Sequence, residues 1–353
     1  VAADPVILRG SVRRIRCTIR STTNTITGSV RTPSAREGGR AADERHDMRI
    51  PTRVTVLDDR MRGIRTDANL AVHFTEGRWL EGPSYSVQGR YLLFSDIPND
   101  RTLRLDEMSG QVVVFDQPSR FANGRTHDGA GRVVTCLHGE RSVVRREHDG
   151  REVVIASTHS GRRLNSPNDV VVSAGGDVWF TDPTYGILSD YEGHQAEPEQ
   201  EVRGLYRATE GADEPVLVSG AFAQPNGLAF SLDEAELYVV DSERDSITAL
   251  TLDDRGGVAA ERVIVDTPAG FDGIRVDAAG RIWAATRDGV SCFDRDGQEL
   301  LRIAVPEPVS NLEFGGRDRN VLFMTATSSL YSVRTSVRAP IPRHPHPRPA
   351  ESD

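Results

Sequence analysis

Apolar residues in the middle of this chain fall in short bursts. Residues 91–95, 132–135, 177–181, 236–240, 281–285 and 321–325 are runs of β-branched, aromatic or large aliphatic side chains bounded by turn residues, the pattern of a strand. Their centres recur about every 40–60 residues. Third strands follow at 246–250 and 289–293, and Ala174-Gly175-Gly176-Asp177, Asp277-Ala278-Ala279-Gly280 and Asp294-Arg295-Asp296-Gly297 carry turn chemistry between them. No helix-length segment shows the three-and-four spacing of an amphipathic helix. Several strands per repeat without strand–helix alternation argue against a parallel α/β sheet and predict an all-β, six-bladed β-propeller over residues 66–334. Closure is expected to pair a strand near 71–74 with one near 329–333, which removes the exposed edges.

In such a fold the residue entering the innermost strand of each blade stands at one end of the central channel. Here these residues are Glu81, Asn123, Asn168, Asn226, Asp272 and Asn311. Pro167 and Pro225 stiffen the approach to their Asn, and Gly82, Gly124, Gly227 and Gly273 permit close approaches that a side chain would forbid. A single Asn-Gly is explained by local turn chemistry. Six oxygen-bearing side chains in register are not, because a turn would accept Ser or Gly at some of them. Glu81, Asn168, Asn226 and Asp272 offer only oxygen donors and two negative charges, which suits one hard divalent cation. The donors favour Ca²⁺, with Mg²⁺, Mn²⁺ or Zn²⁺ as alternatives; the ring lacks the His and Cys usual around zinc.

The two ends read differently. Up to residue 40 there are eight Arg against Asp4 and Glu37, with much Ser and Thr. Residues 1–65 are therefore expected to be a disordered extension, an Arg-rich transit segment, or leader ahead of a start at Met48 or Met61. Residues 335–353 hold Pro340, Pro342, Pro345, Pro347 and Pro349, which predicts a Pro-rich tail. Formal charge is −9 with no basic stripe, so no nucleic-acid partner is expected. No apolar run reaches the length of a membrane span, and a cytoplasmic protein is the default. Cys17, Cys136 and Cys292 lie far apart and fit neither a disulfide framework nor a zinc ribbon.

The motifs around the ring also carry a resemblance. Glu81-Gly82-Pro83, Tyr91-Leu92-Leu93-Phe94-Ser95-Asp96-Ile97-Pro98-Asn99, Leu164-Asn165-Ser166-Pro167-Asn168-Asp169, Trp179-Phe180-Thr181-Asp182-Pro183, Tyr185-Gly186 and Pro225-Asn226-Gly227-Leu228-Ala229-Phe230-Ser231 are similar to the gluconolactonase/regucalcin (senescence-marker-protein) family over about residues 70–334. The resemblance implies a six-bladed propeller with a divalent metal in its channel and hydrolysis of a sugar lactone. A related fluorophosphatase has a Glu-Asn-Asn-Asp calcium site, which maps by motif order onto Glu81, Asn168, Asn226 and Asp272. In the regucalcin branch an Arg two residues before the channel Asn contacts the sugar. Ser166 stands at that position here, so the sugar preference is expected to differ.

The expected chemistry is metal-assisted opening of a small-molecule lactone, with the ion polarising the carbonyl and Asp272 as general base or holder of the attacking water. Asn123, Asn311, Asp182 and His138 are candidates for substrate binding. Asp241 and His127 are weaker candidates. The acidic segment 186–204 interrupts the repeat and is expected to shape the pocket mouth. No Gly-x-Ser-x-Gly elbow is present, which disfavours a serine-hydrolase route. The alternatives are a phosphotriesterase or fluorophosphatase on the same cage, and a non-catalytic calcium-binding propeller.

Overall fold

The computed structural model describes residues 48–341. Six antiparallel sheets of four or five strands follow one another along the chain. Their innermost strands are Leu80–Ser86, Ala122–His127, Val170–Val172, Pro225–Phe230, Ile274–Val276 and Val309–Gly315. The second strands are Tyr91–Asp96, Val133–Leu137, Val178–Asp182, Glu236–Asp241, Ile282–Thr286 and Val321–Ala326. Each lies within two residues of the apolar burst that predicted it. Second strands are legible because neighbouring blades cover both of their faces, so the sequence is apolar almost throughout. Outer strands face water on one side, and Val113, Val114, Val154 and Val263 are exposed there.

The core is a series of apolar seams between successive blades. Trp179, Leu205 and Phe222 of blade three pack with Leu228, Leu237, Val239 and Leu250 of blade four. Trp283 of blade five meets Phe314 of blade six edge-on at 5.7 Å. Each fully buried side chain of this size contributes roughly 1.5–3 kcal/mol. Closure is as expected: Leu330–Arg334 pairs with Asn69–Phe74, with Leu330 opposite Phe74 and Tyr331 opposite Val72.

The fold extends beyond both expected boundaries. Arg49–Pro51 adds to the outer edge of blade six through Asn69–Phe74, and Val54–Val56 adds to blade five through Glu299–Ala304. Met61 is wholly buried in the seam with Trp283 and Leu300. A chain starting at Met61 would lack both added strands. Each has three residues and sits on an edge, too short to show an alternation. At the other end Thr335 bridges to Thr66, and Val337 is buried. The expectations for residues 1–47 and 342–353 lie outside the described residues.

Cys136 and Cys292 are buried free thiols, and Cys17 lies outside the described residues. Among those residues no helix is long and apolar enough to cross a membrane.

Candidate functional site

Hydrogen bonds at one end of the channel link each blade to the next. Asn311 Nδ2 donates to Glu81 Oε2 at 3.1 Å, joining blade six to blade one. Arg125 Nη1 donates to Gly82 O and Ser95 Oγ to Asn123 O, joining one to two. Gly124 N donates to Asn168 O, Thr181 Oγ1 to Asn226 O, Gly227 N to Asp272 O and Gly273 N to Ser310 O, completing the circuit. Glycine is required after the channel residue because the next blade's backbone passes there. A Cβ on Gly82 would lie 2.0 Å from Asn123 O, and one on Gly227 would lie 2.5 Å from Asp272 O.

A second regularity sets the approach to the ring. Asp96, Asp182 and Asp241 end the second strands of blades one, three and four, and all three are fully buried. Their carboxylates accept from the backbone N–H of Arg78, Asn165 and Ala223. Each of those residues stands three before the channel residue, namely Glu81, Asn168 and Asn226. These aspartates therefore clamp the incoming loops. Asp182, expected to bind substrate, does not line the cavity; it lies behind it, and burial pushes its carboxyl up to about 7.

Glu81, Asn123, Asn168, Asn226 and Asp272 together line a cavity of about 260 Å³, near the lower end of small-ligand sites. Trp79, Tyr185, Glu192, Ser242, Gly270 and Phe271 complete its wall. Asn311 is absent from the wall. It braces Glu81 with Nδ2, while its Oδ1 accepts from Leu312 N. His138 is buried just behind Asn123. His127 lies at the opposite mouth of the channel with Arg275 and Glu313, bonded to Ser84 Oγ at 2.8 Å, and has no place at this cavity. Asn226 Nδ2 donates to Ser242 Oγ, which donates to Phe271 O.

Sequence reasoning gave no site role to Glu192, Tyr185 or Ser242, although Tyr185 stands in one of the family-like motifs and Glu192 in the acidic segment. The signal for Glu192 was the acidic insertion, which contributes that one side chain to the wall. His194 N donates to Gly186 O, and the His194 ring meets Phe121 edge-on at 5.1 Å.

The electrostatics of the cavity are one-sided. Among the described residues no Lys, Arg or His lines it. Burial first, then the Asp169 charge, pushes Glu81 up to about 8, against the pull of the Gly82 N–H. Burial, then Glu81, Glu192 and Asp169, pushes Asp272 well above the carboxylate range. Burial alone takes Glu192 up to about 7. Among the described residues no three His, Cys, Asp or Glu side chains gather into a metal cluster. Any ion would be held by amides as well as carboxylates. Buried carboxylates without a counter-cation, and donors that are all oxygen, fit a hard divalent ion.

A pH dependence follows for the metal-free protein. Glu81 and Glu192 hold protons in the folded chain at pH values where the unfolded chain has lost them, so unfolding releases protons and stability falls as pH rises through their folded pKa values. Asp182 acts in the same direction. His127 and His138, both lowered to about 4 by burial, oppose this only below their unfolded value of about 6.5. Between pH 6.5 and 8.5 in chelator, Tm should therefore fall, at roughly 2–4 °C per kcal/mol lost. Added Ca²⁺ should raise Tm more at pH 8.5 than at 6.5. A Tm that rises across this window in chelator contradicts the assignment.

Residues 79–328 match the family model described as the SMP-30/Gluconolactonase/LRE-like region. A gluconolactonase of Zymomonas mobilis is 29% identical over 285 residues, which cover 73% of this chain and 79% of that protein. Pentonolactonase XacC of Haloferax volcanii is 30% identical over 270 residues, 71% of this chain and 82% of that one. Among solved structures, a gluconolactonase of Xanthomonas campestris superposes with a TM-score of 0.77 at 32% identity, covering 82% of this chain and 98% of that chain.

Proposed function

Because the chain belongs to the SMP-30/gluconolactonase/LRE-like family, we propose that it is a metal-dependent hydrolase that opens the ring of a sugar lactone. The observation that carries this reading is the cavity itself, where two buried carboxylates and three amides converge without a cationic side chain. Glu81, Asn168, Asn226 and Asp272 would hold the ion, Ca²⁺ by the hardness of the donors. When bound, a divalent cation supplies Lewis acidity toward a carbonyl oxygen and charge opposite a developing oxyanion.

The chain's own residues account for the rest. Asp272, with its carboxylate at the cavity, takes the proton of the attacking water. Water adds to the lactone carbonyl carbon, the ring C–O bond breaks, the proton held by Asp272 passes to the leaving ring oxygen, and the product is a hydroxy acid, which ionises to the carboxylate in solvent. Asn311 and the Gly82 N–H fix Glu81. Trp79 and Phe271 give the wall its apolar part. Asn123 and Tyr185 offer polar atoms to substrate hydroxyls.

The test is a substrate panel in Ca²⁺ buffer with spontaneous hydrolysis subtracted: D-glucono-1,5-lactone, a pentonolactone, an aryl ester and an aryl phosphotriester. Sugar lactones should be turned over fastest. Preference for the phosphotriester would favour the fluorophosphatase-like alternative, and no turnover of any would favour a binding propeller.

A further inference from the structure

Asn123 is 2% exposed, and its Oδ1 is buried with no hydrogen-bond partner. A carboxamide oxygen left in that state is destabilising unless a ligand fills it. Its other end is engaged: Nδ2 lies 3.2 Å from His138 Nε2, and His138 Nδ1 lies 3.0 Å from Glu192 O. A backbone carbonyl can only accept, so His138 Nδ1 carries a proton. His138 is 1% exposed and held neutral by burial, which leaves Nε2 as an acceptor. Nε2 therefore takes its hydrogen bond from Asn123 Nδ2, and the amide cannot turn over. Asn123 is one of the residues that line the cavity, and this arrangement fixes its Oδ1 as an acceptor that nothing in the chain fills.

The histidine is itself held in place. A Cβ on Gly186 would come within 2.5 Å of His138 Cβ and Cγ, so the start of the acidic segment 186–204 packs directly on the ring. The same segment supplies Glu192 O.

We propose that Glu192 O, His138 and Asn123 form a relay that presents Asn123 Oδ1 as an acceptor for one hydroxyl of the substrate, making Asn123 a specificity-determining residue and His138 a positioning residue. The inference rests on the lactonase reading and adds the device by which a hydroxylated lactone is told from an alkyl lactone of the same ring size. A site built to receive a hydroxyl rejects an analogue lacking it more strongly than an apolar pocket rejects a size change.

The experiment compares kcat/KM for D-glucono-1,5-lactone and δ-valerolactone in the parent, Asn123→Ala and His138→Phe, with Tm measured for each. Asn123→Ala should lower kcat/KM on the hydroxylated lactone about 10–100-fold, the range of one polar contact, and change δ-valerolactone turnover less than about threefold. His138→Phe should shift the same ratio in the same direction by less, since the amide remains but is free to turn. Parent protein assayed on singly deoxygenated gluconolactones gives a readout independent of variant folding. Loss of one hydroxyl should cost as much as Asn123→Ala, and the two losses should not add. Equal loss on both lactones in Asn123→Ala, or uniform small losses across the deoxy series, overturns the relay while leaving lactone hydrolysis standing. Absence of turnover of either lactone by the parent overturns the lactonase reading instead.

Discussion

Asp272→Asn should reduce kcat on D-glucono-1,5-lactone by about 10²–10⁴, the usual contribution of a positioned general base, and saturating Ca²⁺ should not restore it. The substitution keeps the shape of a side chain that lines the cavity and whose carboxyl burial has already pushed upward. It removes the proton acceptor and one of the two charges in the ring. Asn168→Ala is the control, because it removes a neutral oxygen that water replaces in part. Its activity should recover partly as Ca²⁺ rises. The measurement is kcat against Ca²⁺ concentration for both variants and the parent, with circular dichroism to establish that each is folded. Full rescue of Asp272→Asn would reduce Asp272 to a ligand and make Glu192 the candidate base, since it is the carboxyl at the wall outside the proposed ligand set and burial raises its pKa to about 7.

The second large effect is on metal affinity. Glu81→Gln keeps the contacts to Gly82 N–H and Asn311 in outline but leaves Asp272 as the only carboxylate of the proposed ligand set. Loss of an outer-shell partner alone typically costs 10–100-fold in metal affinity, so loss of a charged ligand should cost at least that. Titration calorimetry with Ca²⁺ on the chelator-stripped protein reads this directly. The same substitution should weaken the fall of metal-free Tm with pH above 6.5, because it removes one of the groups that binds a proton on folding. Unchanged Ca²⁺ affinity in a folded Glu81→Gln would remove Glu81 from the ligand set.

The fold was legible because a propeller repeats one message. Each second strand is covered on both faces and bounded by turns, so six apolar bursts at similar spacing marked six blades. The channel ring was legible for a related reason. Gly82, Gly124 and Gly227 are needed where the neighbouring backbone passes, and Gly273 where the Asn311 side chain does, which ties four of the six channel side chains to a recognisable residue after them. What could not be read were contacts between residues far apart in sequence. Asp182 has the composition of a site residue, yet it spends its oxygen on Asn165 N–H; strand-end position alone does not distinguish a clamp from a ligand. Asn311 has the same position as Asn226, but its amide is turned onto Glu81, 230 residues away. Glu192 sits in an insertion with no repeat partner, so register gave no help. The strands at 49–51 and 54–56 were hidden in Arg-rich sequence because a three-residue edge strand carries almost no periodicity.

One measurement bears most directly on the claim that this cavity opens lactones with a cation held by Glu81, Asn168, Asn226 and Asp272. It is the pH-stat rate of D-glucono-1,5-lactone hydrolysis above the spontaneous rate, for parent protein stripped with chelator and then titrated with Ca²⁺. The rate should fall near background after stripping and be restored by Ca²⁺, with saturation near one ion per chain. Full turnover by the stripped protein, or none at saturating Ca²⁺, would contradict it.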